Sequence, residues 1–327
     1  MKAKLSLPTA GEMWAVGIAS VAYLALTAVF IGLRVEHFAL VGLFDALFFA
    51  SVYTRKMAVA MLPFIVFGVS YDWMRLMPNY EVNPIDVRGL YDAEKSLFGV
   101  YDDGVRVTLN EWFAAHNWPV ADFLSGVFYL CWVPVPIAFA FSLFIVGKRD
   151  VLLHFVLVFL LVNFIGFAGY YIHPAAPPWY VMQHGFEAVV GTPGSVAGLG
   201  RFDEMVGMQI FGPMYERNSN VFAAVPSLHA AYMTIAFIYS IVGKCRKWVI
   251  ALFGVIMVGI WFTAIYSSHH YLIDVLLGIG CTLLGIIIFE FILMRWRPFV
   301  RFMSAYRKYV LKSPNRSATF STPPRKV

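Results

Sequence analysis

A histidine and an aspartate stand four residues apart where the last long apolar stretch of the chain begins, His270 and Asp274. If this stretch is helical, the two side chains share one face, about one turn apart. An aspartate that accepts a hydrogen bond from one imidazole nitrogen leaves the other nitrogen with a more basic lone pair. Such a pair serves as a nucleophile or general base. The alternative is an aspartate that only fixes a neighbouring histidine structurally.

A second histidine, His229, lies just after Pro226 and Ser227 at the start of another apolar stretch. Proline suits the first turn of a helix, where its missing N–H has no partner anyway. The free backbone N–H groups of a helix start bind anions, especially phosphate. With His270 attacking phosphorus and His229 protonating the leaving oxygen, these residues predict phosphoryl transfer that needs no metal or cofactor.

The composition is that of an integral membrane protein, because 60% of the 327 residues are hydrophobic and only 13% are charged. The expected partners are the membrane and its lipids and not nucleic acid; no protein partner is indicated. Cys131, Cys245 and Cys281 have no disulfide or zinc spacing. A zinc site built from histidines is an alternative, but none of them has metalloprotease spacing.

Eight apolar stretches are long enough to span a bilayer, and the second, which carries Asp45, is the weakest. They cover residues 13–33, 37–53, 57–77, 122–147, 151–172, 221–243, 247–266 and 270–294. With eight spans, most of the 25 Lys and Arg residues fall on the side of the termini. The positive-inside rule then places both termini in the cytoplasm. The loops before His229 and His270 therefore open on the opposite face.

The connections between spans complete the predicted layout. Residues 78–121 combine charges with apolar positions, which predicts interfacial amphipathic helices, although a lid or a docking segment would look the same. The glycine-rich part of residues 173–220 follows no strand and opens no helix, so it predicts a flexible loop. The basic chain from Ser304 on is predicted to be disordered. We therefore expect an N-terminal transmembrane pair (1–56), a catalytic core (57–294) and a basic cytoplasmic tail (295–327).

Several stretches, in this order on one membrane face, resemble the type 2 phosphatidic-acid phosphatase superfamily. The closer resemblance, over about 57–294, is to its inositol phosphorylceramide synthase branch. The stretches are Asp92–Gly99, the Pro-x-Ala-Pro-Pro-Trp segment within Tyr170–Tyr180, Pro226–His229 for the usual Pro-Ser-Gly-His, and His270–Asp274 for His-x-x-x-Asp. The resemblance implies an all-α membrane bundle, with a six-helix core behind two N-terminal helices.

The same resemblance implies an activity. A phospho-head group, inositol phosphate from phosphatidylinositol, would pass to a lipid hydroxyl such as that of ceramide through a phosphohistidine. The catalytic residues would be His229, His270 and Asp274. A lipid phosphatase that uses the same residues with water is the alternative. A transporter with a proton relay fits less well, because the ionisable residues cluster at one surface.

The chain departs from the phosphatase pattern where phosphate is normally bound. The Lys-x6-Arg-Pro motif is absent, and Ala264 replaces the usual arginine of the third motif. The non-cytoplasmic arginines that could substitute are Arg75, Arg88, Arg201 and Arg217, of which Arg217 is nearest His229 in sequence and Arg75 ends the span that begins the core. Fewer cations fit a diester with about one negative charge better than a monoester with nearly two.

Other residues complete the predicted site. Ser227, Tyr171 and His173 join Arg75 and Arg217 as the expected phosphate- or substrate-binding residues. Successive helical residues point about 100° apart, so His269 is expected to face water. Trp179 and Tyr180 are expected in the interfacial aromatic belt. The site would face the periplasm in a bacterial inner membrane, which we favour, or the lumen in a Golgi membrane.

Overall fold

The structure, a computed structural model, describes residues 7–216 and 220–311 and is helical almost throughout. In chain order the helices are α1 (Ala10–Phe30), α2 (Val35–Ala50), α3 (Val52–Ala60), α4 (Leu62–Trp73), α5 (Arg88–Phe98), α6 (Leu109–Ala115), α7 (Pro119–Tyr129), α8 (Pro134–Ile145), α9 (Arg149–Ile172), α10 (Pro178–His184), α11 (Gly200–Val206), α12 (Gly212–Glu216), α13 (Leu228–Val242), α14 (Lys247–Tyr266), α15 (Leu272–Ile287) and α16 (Arg297–Leu311). The strands β1 (Val100–Asp102) and β2 (Val105–Val107) form an antiparallel hairpin. The predicted all-α class is confirmed.

Long apolar helices make the chain an integral membrane protein. Four helical segments of the described chain are long and apolar enough to span by themselves: α1, α9, α14 and Leu272–Arg295, which continues α15. Two bent pairs, α3 with Leu62–Leu76 and α7 with α8, raise the number to six if each pair is one span. Because α2 and α13 have only 16 and 15 residues, the eight-span topology stays a prediction.

One compact unit comprises the described residues 7–60 and 296–311. The carboxylate of Asp45, inside the apolar helix α2, accepts a hydrogen bond from Ser20 Oγ over 3.1 Å, which satisfies part of its need for polar partners. In α16, Tyr309 donates to Glu12 Oε1 at 2.9 Å and Tyr306 donates to the carbonyl of Val59. The prediction of disorder from residue 304 is therefore wrong as far as Leu311, and residues 312–327 lie outside the described chain.

The second unit, Met61–Arg295, contains both histidine motifs. Helix α13 packs against α9, α14 and α15, and glycines of α9 and α15 face its first residues. A Cβ on Gly278 of α15 would collide with the carbonyl of Ser227, and one on Gly166 of α9 would collide with the side chain of Leu228. Small residues thus let α9 and α15 approach the start of α13, where His229 lies.

The connections of the second unit are folded and contact one another. Asp86 pairs with Ala175 and Ala175 pairs with Ala223 in parallel bridges, so the connection 78–121 is joined to the chain on both sides of α10. Beneath these bridges lies a buried apolar cluster that includes Leu90, Trp179 and Tyr271. The glycine-rich part of residues 173–220 was predicted to be a flexible loop. At Gly198 it is instead bound to the rest of the unit, because the backbone N–H of Gly198 donates to the carbonyl of Ser267 over 3.0 Å.

Candidate active site

The two motif histidines, which lie 41 residues apart in the chain, contact each other directly. Nδ1 of His229 lies 3.0 Å from Nε2 of His270. His229 is the second residue of α13, and His270 precedes the start of α15 by two residues. Two nitrogens at this distance share one proton, so one ring donates and the other accepts.

Asp274 lies on the other side of the His270 ring. Its Oδ2 is 3.4 Å from His270 Nδ1 and accepts a hydrogen bond from the backbone N–H of Tyr271 over 2.9 Å. The predicted common helix face is wrong, because α15 begins only at Leu272 and His270 precedes its N-cap, Tyr271. The contact is long and poorly aligned, which leaves His270 Nδ1 and Asp274 Oδ1 buried without a hydrogen-bond partner among the described residues. Catalytic hydrogen bonds often tighten only when substrate binds.

Glu94, from the predicted interfacial region, holds the start of α15. Its carboxylate is fully buried and accepts hydrogen bonds from the N–H groups of Leu272, at 3.0 Å, and Ile273, at 3.1 Å. These are donors that a helix start leaves without intrahelical partners. Burial raises the pKa of Glu94, and the two backbone N–H groups oppose the shift. Sequence reasoning placed Glu94 inside a family-like stretch but assigned it no role.

Asn110 holds the chain that precedes α15. Its Nδ2 donates to the carbonyl of His270 over 2.9 Å and to that of Ile265 over 2.8 Å, and the residue is fully buried. No sequence signal singled it out. The region 78–121 is thus a scaffold for the His270 segment, with α5 and α6 each supplying one buried polar anchor.

Ser227 connects the two helix starts and is fully buried. Its N–H donates to the carbonyl of Asp274 over 2.9 Å, and its Oγ accepts from the N–H of Ala230 over 3.4 Å. The N–H of Ala230, one of the helix-start donors that the sequence predicts to bind phosphate, is therefore already bound by Ser227. Its position is that of an N-cap residue, and it is not part of the cavity wall.

A cavity of about 240 Å³ adjoins the histidine pair, and His229, His269 and His270 all belong to its wall. The rest of the wall is mainly aromatic and apolar and includes Phe67, Tyr71, Trp132, Trp179, Tyr215 and Tyr232. Within the described chain, no lysine or arginine lines it. An acyl chain or an aromatic-stacked ring would find favourable contacts here, whereas an unpaired dianion would not.

His269 is buried, contrary to the expectation that it faces water. It is 5% exposed, its Nδ1 lies 2.9 Å from Ser267 Oγ, and its ring packs 4.3 Å from that of Tyr215. The expectation assumed a continuous helix, but the chain turns at Ser268, where φ is +61°. Trp179 is also buried, and its backbone N–H donates to the carbonyl of Ser268. Its expected place in the aromatic belt is therefore wrong.

Tyr180 is another exception to the predicted aromatic belt. It is fully buried, its ring packs 5.2 Å from that of Phe222, and its hydroxyl donates to the carbonyl of Glu187. Its polar tip is therefore satisfied within the protein.

Comparison with known proteins identifies the family to which this site belongs. The sequence model of the PAP2 superfamily matches residues 90–288, which is more than half of the chain. The chain belongs to the PAP2 superfamily. This confirms the resemblance to the type 2 phosphatidic-acid phosphatases. No solved structure matches the chain.

Among curated proteins, this PAP2 chain is 62% identical over 304 residues to the phosphoinositol dihydroceramide synthase of Bacteroides thetaiotaomicron, covering 93% of the chain and 100% of that protein. It is 31% identical over 192 residues to the inositol phosphorylceramide synthase of Candida albicans, covering 55% of the chain and 39% of that protein. It is 28% identical over 242 residues to the catalytic subunit of the Schizosaccharomyces pombe inositol phosphorylceramide synthase, covering 73% of the chain and 54% of that protein.

Of the arginines that could replace the missing PAP2 arginines, the three that the structure describes, Arg75, Arg88 and Arg201, do not line the cavity. Arg75 pairs with Asp72 at 3.3 Å, and Arg201 pairs with Asp122 at 2.5 Å. Arg217 lies outside the described residues. A phosphate-binding role for Arg75 or Arg217 therefore stays a prediction.

The other two expected phosphate-binding residues also lie away from the cavity wall. His173 Nε2 is 3.2 Å from Asp86 Oδ2, and the side chain is half exposed. The hydroxyl of Tyr171 donates to the carbonyl of Met77 over 2.6 Å. Both side chains have protein partners, and their contact with substrate stays a prediction.

In the described part of the chain, no three His, Cys, Asp or Glu side chains lie close enough together to bind a metal ion, so the zinc alternative has no structural support there.

Proposed function

We propose that this PAP2 protein transfers inositol phosphate from phosphatidylinositol to the hydroxyl of a ceramide-type lipid through a phosphohistidine on His270. The observation that carries the proposal is the contact of His229 with His270 at the wall of an aromatic cavity. Identity of 62% to a phosphoinositol dihydroceramide synthase, over the whole length of that protein, supports this substrate class.

In the first half-reaction, Nε2 of His270 attacks phosphorus and the bond to the diacylglycerol oxygen breaks. His229 Nδ1, the nitrogen nearest to that Nε2, gives its proton to the leaving oxygen and releases diacylglycerol. Asp274 stabilises the positive charge that His270 acquires. Because phosphorus must occupy the space at Nε2, the contact between the two histidines must open when the donor binds.

In the second half-reaction, the acceptor hydroxyl attacks the phosphorus of the phosphohistidine. His229 takes the proton of that hydroxyl, the P–N bond breaks, and both histidines return to their starting states. No oxidant, reductant or further co-reactant is needed.

The cavity wall favours transfer of a diester over hydrolysis of a monoester. With no lysine or arginine among its described residues, it suits a phosphate with about one negative charge better than one with nearly two. Its aromatic surface also suits a lipid acceptor better than water. The second candidate function, a lipid phosphatase, would use the same histidines.

We place the site on the non-cytoplasmic face of the membrane, with both termini in the cytoplasm. The Lys and Arg distribution of the sequence supports this orientation. The bacterial source of the 62% identical relative supports a bacterial inner membrane, in which the site would face the periplasm.

The decisive experiment uses purified protein in mixed micelles with EDTA and labelled phosphatidylinositol, with or without ceramide. We expect ceramide-dependent transfer of inositol phosphate that is abolished in His270→Ala and retained in His116→Ala, whose exposed side chain lies outside the cavity wall. Free inositol phosphate at the same rate without ceramide would make the protein a hydrolase. Activity only with added metal would revive the zinc alternative.

A further inference from the structure

The tautomer of His269 is determined by its neighbours. Ser267 Oγ lies 2.7 Å from the carbonyl of Thr263 and 2.9 Å from Nδ1 of His269. A carbonyl only accepts, so the hydroxyl hydrogen of Ser267 must point to Thr263. The same oxygen then accepts from His269, which places the ring hydrogen on Nδ1. Nε2 of the neutral ring is therefore left with a lone pair.

That lone pair has no donor among the described residues. Nε2 of His269 is buried without a hydrogen-bond partner, although the residue lies in the cavity wall beside the nucleophile. Burial, and next the positive charge that His270 can carry, lower the pKa of His269 to about 3. The nearby backbone carbonyls of Ser195 and Ser267 oppose this shift, but as acceptors they supply no hydrogen to Nε2.

A buried acceptor without a partner is unfavourable unless a ligand supplies the donor. The oxygens of an ionised phosphodiester carry no hydrogen, so a neutral imidazole at this place cannot bind them. A hydroxyl group can donate to it. The chemistry at Nε2 thus selects a hydroxyl close to the phosphorus that His270 attacks.

We propose that Nε2 of His269 accepts a hydrogen bond from a substrate hydroxyl that does not itself react, and that His269 thereby determines substrate specificity. This inference rests on the proposed function. The hydroxyl belongs either to the inositol ring of the donor or to the second hydroxyl of the ceramide-type acceptor, and the experiment separates the two sources.

Two variants isolate the acceptor atom. His269→Phe keeps a planar ring but removes Nε2, and His269→Gln keeps an acceptor near the same place. We expect His269→Phe to lower kcat/KM by about tenfold or more, and His269→Gln to recover most of the loss. Thermal unfolding and gel filtration in detergent check that both variants are folded.

Deoxy substrates identify the hydroxyl. The wild type and His269→Phe are compared on phosphatidylinositol with single ring hydroxyls removed, and on ceramide with the 3-hydroxyl removed. When the missing hydroxyl is the one bound to His269, the difference between the two proteins should vanish. A difference of the same size with every analogue, or none with the natural substrates, would overturn the proposal.

Binding without turnover separates this proposal from the proposed function. In the His270→Ala background, we would measure how phosphatidylinositol or ceramide raises Tm, with and without His269→Phe. Weaker binding of one lipid by about tenfold would support the role of His269 even if no transfer occurred. Unchanged binding of both lipids would contradict it even if transfer occurred.

Discussion

The backbone N–H of Ser227 donates a hydrogen bond to the carbonyl of Asp274 over 2.9 Å. This bond joins the start of α13 to the start of α15. His229 follows Ser227 by two residues and His270 precedes Asp274 by four, so the bond helps to hold the two histidines near each other. The chemistry of the site therefore depends on the packing of these two helices.

Gly278→Ala should disrupt that packing. The added Cβ would collide with the carbonyl of Ser227, which is backbone and has little freedom to move. We expect a loss of about 1–3 kcal/mol in unfolding free energy and a large loss of transfer activity. Gly280→Ala on the same helix is the matched control, because no atom of the described chain beyond its own helix turn lies within 4 Å of its Cβ position. Equal Tm and activity in the two variants would contradict this account.

Removing each of the two histidines should impair a different step of the reaction. His270→Ala should abolish the labelled phosphoenzyme that forms from labelled donor without acceptor, because no other residue is proposed to bond phosphorus. His229→Ala should slow release of diacylglycerol by about 10²- to 10⁴-fold. It should keep much of its rate with a nitrophenyl phosphoinositol donor, whose leaving group needs no proton. An equal defect with both donors would assign His229 another role.

Asn110→Ala should loosen the His270 segment without touching the cavity. It leaves the carbonyls of His270 and Ile265 without their side-chain donor, which should cost about 1–3 kcal/mol. We expect a lower Tm and a larger fall in kcat than change in donor KM. Asn117→Ala is the control, since its side chain is exposed and donates, as far as the chain is described, to the nearby carbonyl of Ala114 alone. A Tm like that of the control would show that the anchor is dispensable.

Glu94 should make stability depend on pH. Burial raises its pKa above 4.5 in the folded protein, so the folded state holds this proton more tightly than the unfolded state. The resulting stabilisation is complete below about pH 4.5 and is lost as pH rises through the raised pKa. Glu94→Gln cannot titrate, so the Tm of the wild type minus that of the variant should fall as pH rises.

The measurement for Glu94 is a Tm series in detergent from about pH 4.5 to 8. Glu187→Gln, at an exposed position, is the control and should show a constant offset from the wild type. A difference between wild type and Glu94→Gln that does not change with pH would mean that Glu94 does not titrate in this range.

Short-range patterns in the sequence determined the class of this protein and the residues that meet at its site. Apolar stretches of bilayer length need no tertiary context to be recognised, because each must satisfy its own backbone as a helix. The motifs around His229 and His270 are equally local, since each is a helix start with its polar residues within a few positions. From them the family and the contacting histidines could be predicted.

Tertiary structure decided what surrounds those histidines. Glu94 lies 178 residues from Leu272 in the chain and accepts a hydrogen bond from its backbone N–H. No local pattern indicates such a bond. His269 was misjudged because the chain turns at Ser268. The pairing of Arg75 with Asp72 outside the cavity wall likewise could not be read from the sequence. Burial and partner choice depend on how distant segments pack, which is a property of the whole fold and not of any short stretch.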